Sequence, residues 1–587
     1  MSGNLLAKAV RPLGRSAAAT SVSASPSSVS TAAGRTRSFT TSAVRRNATS
    51  GKAPRKISAA RTASTWTGPG VLAVAAVAGL LGWGVASFSV KEFPGAMRLD
   101  SKIAMPRYAS MRDMEVALKE IRRELGEEDI ISTDPDDLHA HGYSEWSSSN
   151  PEGLPVAVAY PRSTEQVSAI ARISNKYRIP IIPYSGGSSL EGNFSAPFGG
   201  ISVDFAYMDK IIQFNKDDMD IVVQPSIGWQ DLNEQLSKMG SGLFFPIDPG
   251  PSAKIGGMIG TNCSGTNAVK YGTMKDWVIN LTVVLADGTV IKTRRRPRKS
   301  SAGYNLNGLF VGSEGTLGLV TEATLKLTVI PEDLSVAVVT FPTIRDAASA
   351  AAEVMQRGIP VAAMEIMDEV QMKVVNMGGA TAPRVWKETP TLFFKFSGTK
   401  AGVKENIAQV QKIAKANKGG SFEFAKDARE QKLLWSARKE SLWSMLALRK
   451  EGEEVWSTDV AVPFSRLADI IEVSKKEMDD LGLFASILGH VGDGNFHESI
   501  MYNRRNKEER EKVETCVKNM VKRALEMEGT CTGEHSIGWG KKESLLWELG
   551  PDTLGVMKAI KLALDPKWIM SAATPFSSVD GCLLTYH

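Results

Sequence analysis

Hydrophobic and polar residues between positions 154 and 192 follow a pattern that predicts a strand, a helix, a second strand and a loop. The apolar run PVAVAY ends at Pro161, and Ser163 with Gln166 three residues later forms a capping box at the start of a helix. Apolar residues then recur at the spacing of one helix face, at positions Val167, Ile170, Ile173 and Tyr177. The β-rich run IPIIP follows and leads into the loop YSGGSSLEG. Glycine and serine after a strand let backbone N–H groups approach an anion, so this loop is a candidate pyrophosphate cradle, although such loops are more often simple turns.

Two further glycine-rich segments follow the first loop. Residues 246–272 are too long and too rich in glycine for a simple connection, so we expect a ligand to lie against their backbone. The run VINLTVVLADGTVIKT predicts a β-hairpin that turns at Asp287 and Gly288, and it leads to LFVGSEGTLGLVTEATLKL. In that last segment we interpret Glu314, which stands between glycines, as a turn residue rather than a ligand. The glycines that matter in the middle segment are Gly256, Gly257, Gly260 and Gly265.

The N-terminal part of the chain has the pattern of a targeting sequence followed by a membrane anchor. Residues 1–65 are rich in Ser, Ala and Arg and contain no acidic residue, which is typical of a mitochondrial presequence. Residues 71–90 carry no charge, and about 20 helical residues span roughly 30 Å, the thickness of a hydrocarbon core. We therefore predict one transmembrane helix at 69–90, with a buried core helix as the alternative. Basic residues before this run are not offset by acidic ones, so the chain after it is expected to face the intermembrane space.

Composition narrows the class of protein. The 587 residues are 43% hydrophobic and 23% charged, as in ordinary globular proteins, and a chain of this length is expected to form at least two domains. Twelve Lys and Arg residues precede the first acidic residue, Glu92, so the net charge of +6 hides a mildly acidic remainder. That distribution argues against a nucleic-acid-binding protein. The four cysteines form no CxxC pair, which argues against a disulfide framework and a zinc ribbon.

The three glycine-rich segments, in this order and spacing, resemble the FAD domain of the vanillyl-alcohol oxidase and p-cresol methylhydroxylase superfamily. The resemblance implies an α+β fold of two subdomains with FAD between them at residues 151–331, preceded by a linker and N-terminal segment at 91–150. Some members bond FAD to a histidine in the first loop, where this chain has Ser188, so non-covalent FAD is implied. The implied FAD contacts are Ser185, Gly186, Gly187, Ser188, Ser189 and Gly192 at the pyrophosphate, Gly256, Gly257, Gly260, Thr261, Asn262 and Gly265 around the flavin and ribityl chain, and Gly315, Gly318 and Val320 at the isoalloxazine.

Three of the six histidines fall in two glycine-rich motifs of the C-terminal half. The motif ILGHVGDGNFHESI contains His490 and His497, and the turn-forming residues between them predict a hairpin that sets these two histidines opposite each other. Their Cβ atoms would then lie about 4.5–5.5 Å apart, within reach of one divalent ion. The motif GTCTGEHSIGWGK offers Glu534 as a third ligand beside His535. One such histidine alone is more often structural, but the three together favour a metal site.

These C-terminal motifs resemble those of the FAD-linked D-2-hydroxy acid dehydrogenases, and the resemblance implies an α+β substrate- and metal-binding domain at 332–572. Arg438, in LLWSARKES, also has a plain alternative interpretation as a charge on a helix face. After residue 572 the chain departs from the Asn-Pro-Gly-Lys-like turn usual in the family, so 573–587 is an atypical tail. The implied roles are His490, His497 and Glu534 as ligands of a zinc-like ion, His535 as base and Arg438 as the group that binds the substrate carboxylate.

The resemblance implies the oxidation of D-lactate to pyruvate, in which His535 takes the proton of a metal-bound hydroxyl and hydride passes to FAD. No GxGxxG motif in a βαβ unit indicates NAD, so electrons are expected to pass to cytochrome c at the mitochondrial inner membrane. A D-2-hydroxyglutarate dehydrogenase is the alternative enzyme, and it would need a second cation for the second carboxylate. A flavin-binding membrane protein without turnover is the alternative from another class.

Overall fold

The computed structural model describes residues 106–571 apart from 127, 148 and 380. The predicted presequence at 1–65, transmembrane helix at 69–90 and atypical tail at 573–587 all lie outside the described residues. Among the helices of the described part, none combines the length and the apolar character needed to cross a bilayer.

The first subdomain is a mixed sheet covered by helices. Its elements are α1 (Met111–Leu125), β1 (Ile131–Ser132), α2 (Pro135–Ala140), β2 (Ala157–Ala159), α3 (Thr164–Tyr177), β3 (Ile181–Tyr184) and β4 (Ile201–Asp204). The strand order is β1-β2-β4-β3, with β4 parallel to both of its neighbours. The predicted strand, helix and strand are confirmed as β2, α3 and β3, and the Ser163 side chain caps α3 by accepting from the Gln166 N–H. The later strand β4 lies between β2 and β3, an insertion that the order of elements along the chain does not reveal.

The second subdomain is an antiparallel sheet with the strand order β5-β6-β10-β8-β9, together with a separate strand pair, β7 with β11. Its elements are β5 (Ile211–Asn215), β6 (Asp220–Val223), α4 (Trp229–Lys238), β7 (Leu243–Phe244), α5 (Ile255–Thr261), α6 (Ala268–Tyr271), α7 (Met274–Trp277), β8 (Val278–Val284), β9 (Val290–Lys292), α8 (Leu306–Phe310), β10 (Leu319–Lys326) and β11 (Thr328–Val329). The predicted hairpin is confirmed, because β8 pairs with β9 and the Gly288 N–H donates to Leu285 O across the turn.

The C-terminal domain is built on one large antiparallel sheet with the strand order β15-β12-β14-β13-β18-β19-β16, and β17 also pairs with β19. Its elements are β12 (Asp333–Thr340), α9 (Ile344–Gln356), β13 (Ala363–Met367), α10 (Glu369–Gly378), β14 (Thr391–Gly398), α11 (Lys400–Ala416), β15 (Glu423–Phe424), α12 (Ala428–Lys439), α13 (Ser441–Ala447), β16 (Glu453–Ser457), β17 (Val460–Ala461), α14 (Leu467–Asp480), β18 (Phe484–Gly489), β19 (Asn495–Asn503), α15 (Lys507–Glu526) and α16 (Lys542–Leu564).

Each of the three sheets buries its own apolar core. The helical stripe predicted for α3 is confirmed, since Val167, Ile170 and Ile173 are fully buried in the core of the first subdomain. Burying each such aliphatic side chain contributes about 1.5–3 kcal/mol. The largest core packs against the C-terminal sheet and includes Phe394 and Phe496. These cores make rigid supports for the loops at the sheet ends.

The end of the described chain returns from the C-terminal domain to the first subdomain. Met570 forms a parallel bridge with Ile181, and the Ser571 N–H donates to Ile181 O at 2.7 Å. The buried ammonium of Lys561 donates to the carbonyl of Thr316 at 2.7 Å and to that of Met570 at 2.8 Å. These contacts tie the third glycine-rich loop to α16, the last helix of the described part of the chain.

Candidate active site

A cavity of about 390 Å³ lies where the three glycine-rich loops meet the histidine motifs of the C-terminal domain. That volume is within the usual range of small-molecule sites. Every predicted site residue lines this cavity except Gly192 and Asn262. Segments that are far apart in sequence therefore line the same cavity, as the motifs predict.

The two exceptions have structural explanations. Asn262 caps the C-terminal end of α5 in the left-handed conformation, at φ 51°, and its Oδ1 accepts from Lys275 N at 3.0 Å. Gly192 has φ 69°, and an added Cβ would clash with the carbonyl oxygen of Ser149. Both residues shape the backbone of the glycine-rich loops, and their contact with a cofactor stays a prediction.

The glycines of the second loop differ in what they face. A Cβ at Gly257 would meet no atom within 4 Å, and one at Gly260 would meet only the Cα of Glu314 at 4.0 Å. Both residues line the cavity, so bare backbone faces open space there. A Cβ at Gly256, in contrast, would lie 2.7 Å from Pro225. The space in front of Gly257 and Gly260 fits a flat cofactor such as a flavin lying against the backbone.

Glu314 does more than form a turn. It adopts φ 53° in the third loop, and its buried carboxylate accepts from the backbone N–H groups of Ile537 at 3.0 Å and Gly538 at 2.8 Å. Asn193 Nδ2 donates to the same carboxylate at 2.5 Å. Burial raises the pKa of Glu314 although these three donors oppose the shift. The residue thus joins the third FAD-type loop to the segment that carries His535.

The three proposed metal ligands meet at one point. His490 Nε2 lies 2.9 Å and His497 Nε2 lies 3.4 Å from the same oxygen, Oε1 of Glu534. The three ligand atoms all lie within 4.8 Å of one another. Two imidazole nitrogens and a carboxylate oxygen are a donor set that suits zinc. The other oxygen of Glu534 accepts from the hydroxyl of Ser264 at 2.5 Å.

The outer nitrogens of both histidines have acceptors of their own. His490 Nδ1 lies 2.8 Å from Glu365 Oε1, and His497 Nδ1 lies 2.9 Å from the carbonyl of Thr458. A proton on each Nδ1 satisfies these contacts and leaves each Nε2 lone pair directed at Glu534. Such a convergence of acceptors needs a cation between them, and histidines held in this way are typical of metal sites. The residues present therefore fit a divalent ion.

Charge in this cluster shifts the ionisation of its members. Burial opposes protonation of His490, but the carboxylates of Glu365 and Glu534 outweigh it and raise the pKa of His490 well above its ordinary value. Burial also opposes the charged form of Glu534, yet His490 and His497 outweigh it and hold the pKa of Glu534 well below the usual range. A cation of either kind, proton or metal, is thus favoured between these side chains.

The predicted pairing of His490 with His497 is wrong in register. The two strands do form an antiparallel pair, but Leu488 lies opposite His497, two residues away from the predicted partner. His490 lies beyond the end of β18 because residues 491–493 form a 3₁₀ turn, which Gly494 closes at φ 75°. The two rings still lie 5.6 Å apart, since the turn folds His490 back over the strand pair.

His535 stacks on His497, one of the two histidines that would bind the metal ion. Its ring lies parallel to that of His497, with centroids 4.9 Å apart, and only 13% of its side chain is exposed. Burial lowers the pKa of His535 to about 4, and nearby His497 and Lys541 add to the effect while Asp459 opposes it. The imidazole is therefore neutral at physiological pH and can accept a proton.

Asp459 holds the loop that carries Glu534 and His535. One oxygen, Oδ2, accepts from the backbone N–H groups of both residues at 2.9 Å and from the hydroxyl of Thr532 at 2.7 Å. Burial would raise the pKa of Asp459, but Lys541 and the neighbouring histidines outweigh it and lower that pKa. A single ionised carboxylate thus fixes the backbone of a ligand and of a candidate base.

Arg438 lies on α12 with its guanidinium at the cavity wall. Its Nε donates to Oε2 of Glu365 at 2.8 Å, and both side chains are buried. Among the described residues, no acceptor lies within hydrogen-bonding distance of the two Nη groups. These groups are available for an anion in the cavity, so the interpretation of Arg438 as a plain surface charge is not supported.

Sequence reasoning missed several side chains that organise this site. Glu365 and Asp459 lie on or beside ordinary strands without a motif around them. Glu191 belongs to the first glycine-rich loop, and its carboxylate lies 3.9 Å from His535 Nδ1 and 3.3 Å from the ammonium of Lys541. The only sequence signal for Glu365 and Asp459 is a carboxylate within a largely apolar run.

Two protein-family models match the chain. The model described as FAD binding domain matches residues 155–294, and the model described as FAD linked oxidases, C-terminal domain, matches residues 330–574. The solved structure of p-cresol methylhydroxylase with substrate bound superposes with a TM-score of 0.65 at 19% identity, covering 80% of this chain and 97% of that chain. The fold expected from the glycine-rich segments, of mixed helices and sheets, is thereby confirmed.

Curated relatives resemble the chain over most of its length. The mitochondrial D-lactate dehydrogenase (cytochrome) of Kluyveromyces lactis is 49% identical over 482 residues, which cover 79% of this chain and 82% of that protein. The mitochondrial D-lactate dehydrogenase (cytochrome) of Arabidopsis thaliana is 47% identical over 444 residues, which cover 76% of this chain and 77% of that protein.

Proposed function

Because this chain belongs to the family of FAD-dependent mitochondrial D-lactate dehydrogenases (cytochrome), we propose that its cavity oxidises D-lactate to pyruvate. One observation carries the proposal: bare glycine backbone, the two histidines and the glutamate that would bind a metal ion, a neutral histidine and an arginine all line one cavity. Each of these groups has a distinct task in removing a proton and a hydride from a 2-hydroxy acid.

Non-covalent FAD is the proposed cofactor. The open space in front of Gly257 and Gly260 supports contact of FAD with this backbone, and Ser188 in the first loop offers no imidazole for a covalent bond. When bound, FAD supplies the acceptor for the hydride that leaves C2 of the substrate.

A divalent ion, zinc by its donor set, is the second proposed cofactor. His490 and His497 would hold it through Nε2 and Glu534 through a carboxylate oxygen. When bound, the ion supplies a Lewis acid that polarises the substrate hydroxyl. Glu365 and the carbonyl of Thr458 keep the two Nδ1 protons in place, and so keep both Nε2 atoms available.

His535 accepts the hydroxyl proton at Nε2. Its pKa near 4 keeps the ring neutral before the reaction, as a base requires. Its Nδ1 has no hydrogen-bond partner among the described residues, and the carboxylate of Glu191 lies 3.9 Å away; we place the proton on Nδ1 and the lone pair that receives the substrate proton on Nε2. Stacking on His497 places this base beside the proposed metal ligands.

Arg438 binds the substrate carboxylate through its two Nη groups. A planar guanidinium meets a carboxylate with two parallel hydrogen bonds, so it fixes rotation as well as position. Its Nε is already held by Glu365, which leaves the two Nη groups of this cavity-lining residue for the substrate. With the carboxylate and hydroxyl both fixed, only one of the two enantiomers would present its C2 hydrogen to the cofactor.

Cytochrome c is the proposed electron acceptor, and the mitochondrial inner membrane the proposed location, with the catalytic domains in the intermembrane space. The relatives are named for a cytochrome and for mitochondria, and the uncharged run at 71–90 supports one membrane anchor. Protease treatment of mitochondria with a ruptured outer membrane tests this orientation. The catalytic domains should be digested there and protected in intact mitochondria; protection in both preparations would contradict it.

Anaerobic mixing of the purified protein with single substrates tests the reaction. D-Lactate should bleach the flavin absorption band, while L-lactate should leave it unchanged. Bleaching by D-2-hydroxyglutarate in place of D-lactate would assign the alternative substrate, and no bleaching by any of the three would leave a flavin-binding protein without turnover. Metal analysis of the same sample should find about one divalent ion per chain.

A further inference from the structure

One buried carboxylate joins two functional side chains that come from different elements. Glu365 lies on β13 with 1% of its side chain exposed. Its Oε2 accepts from Arg438 Nε at 2.8 Å, and its Oε1 lies 2.8 Å from His490 Nδ1. The residue thus contacts both the group that would bind the substrate carboxylate and a group that would bind the metal ion.

We propose that Glu365 is a positioning residue that fixes the tautomer of His490 for metal binding and, with its other oxygen, the orientation of Arg438. This inference rests on the proposed function, since it assumes that His490 binds a metal ion and that Arg438 binds the substrate. Through these two contacts, the Glu365 side chain influences where the hydroxyl of the substrate is held and also where its carboxylate is held.

The number of hydrogen-bond donors that face Glu365 matches its number of acceptor oxygens, which supports this role. Arginine Nε always carries a hydrogen, and His490 can bind a metal through Nε2 only when its proton sits on Nδ1. Both groups that face Glu365 are therefore donors, and the two carboxylate oxygens supply one acceptor each. A carboxylate in this place is required by the number of acceptors, because an amide of the same shape has only one.

The surroundings leave His490 no substitute acceptor. Its Nδ1 contacts Glu365 alone among the described residues, while its Nε2 contacts Glu534. His497, by contrast, holds its Nδ1 proton with the carbonyl of Thr458, which belongs to the backbone and cannot be altered by a side-chain substitution. Of the two histidines, only His490 has its Nδ1 hydrogen bond to a side chain, although Asp459 Oδ1 lies 3.7 Å from His497 Nδ1.

Glu365→Gln separates the two contacts with little change in shape. The charged guanidinium competes better for the single remaining oxygen, so the amide NH₂ should turn toward His490 Nδ1. His490 must then present a lone pair at Nδ1 and a proton at Nε2, the atom that would bind the metal. Loss of such an outer contact weakens metal binding about 10- to 100-fold.

The measurement is metal affinity of the full-length, FAD-loaded protein by competition with a chromogenic zinc chelator, beside steady-state kinetics with D-lactate. Glu365→Gln should lower zinc affinity by about 10- to 100-fold and lower kcat more than it raises KM, because Arg438 keeps its partner. Glu365→Asp retains both acceptor oxygens, so it should recover part of the lost affinity. A purely structural role would give the Gln and Asp variants the same metal affinity.

Glu498→Gln is the matched control. Glu498 is fully buried in the same sheet, one residue after His497 on β19, so its side chain points to the opposite face of that strand. This variant should bind zinc as the wild type does. If Glu365→Gln binds zinc as tightly as the wild type, the role of Glu365 is refuted but the proposed function is not. If the wild-type protein binds no zinc at this site, the proposed metal role itself is refuted.

Discussion

Glu314 is the link between the third glycine-rich loop and the segment that carries His535, and Glu314→Gln tests whether that link holds the proposed base in place. Its two oxygens accept from Ile537 N and Gly538 N, and Asn193 shares the second oxygen. Glutamine keeps one of these acceptors and replaces the other with an NH₂ group. At least one buried backbone N–H would then face a donor in place of an acceptor.

The size of the effect follows from that lost acceptor. An unsatisfied buried donor costs about 1–3 kcal/mol, which should appear as easier local opening of the segment. A change of that size corresponds to about 5- to 150-fold faster exchange of the amide hydrogens. Since Asp459 holds the other end of the same segment, the effect should stay within the loop and leave the sheets protected.

Hydrogen–deuterium exchange followed by mass spectrometry measures this directly. Peptides that cover residues 534–541 should exchange faster in Glu314→Gln, and the rate of flavin reduction by D-lactate should fall because His535 is less well fixed. Glu322→Gln is the control, since Glu322 accepts from the hydroxyl of Thr282, which can turn and donate to or accept from an amide. Unchanged exchange in residues 534–541 would show that Glu314 is only a turn residue.

Three further substitutions test the proposed base His535, the proposed carboxylate-binding Arg438 and the buried acid Glu498. His535→Ala should keep the flavin spectrum but slow flavin reduction by about 10²- to 10⁴-fold in stopped-flow mixing; a normal rate would exclude it as the base. Arg438→Lys should lower kcat/KM for D-lactate by about 10- to 150-fold in steady-state assays, because a bidentate contact worth about 1.5–3 kcal/mol is lost, and unchanged kinetics would argue against the clamp. Burial raises the pKa of Glu498 from 4.5 to about 7. Between these two pH values Glu498 is ionised in the unfolded chain but protonated in the folded one, so the free energy of unfolding of the wild type falls as pH rises. Glu498→Gln should remove this loss, about 3 kcal/mol by pH 8 in urea unfolding, and a stability difference independent of pH would contradict the assignment.

Local chemistry explains the parts of the fold that were predictable. The start of α3 follows from Ser163 and its buried face from the apolar spacing, and the Asp287-Gly288 turn specifies its hairpin. Each of these features depends on residues within a few positions of one another. The predicted pairing of His490 with His497 was wrong because a short 3₁₀ turn shifts the register of the two strands by two residues. Nothing in the local sequence distinguishes that turn from a tighter one.

The sequence by itself determined which residue types could act at this site: glycine backbone for FAD, two histidines and a glutamate for a metal ion, a further histidine and an arginine for the substrate. Only the tertiary structure decided how these groups are held, through Glu365, Asp459 and Glu314. His490 and Glu365 are 125 residues apart in the chain and 2.8 Å apart in space. The physical reason is burial: a carboxylate removed from water must find donors, and which donors surround it depends on how distant strands and loops pack.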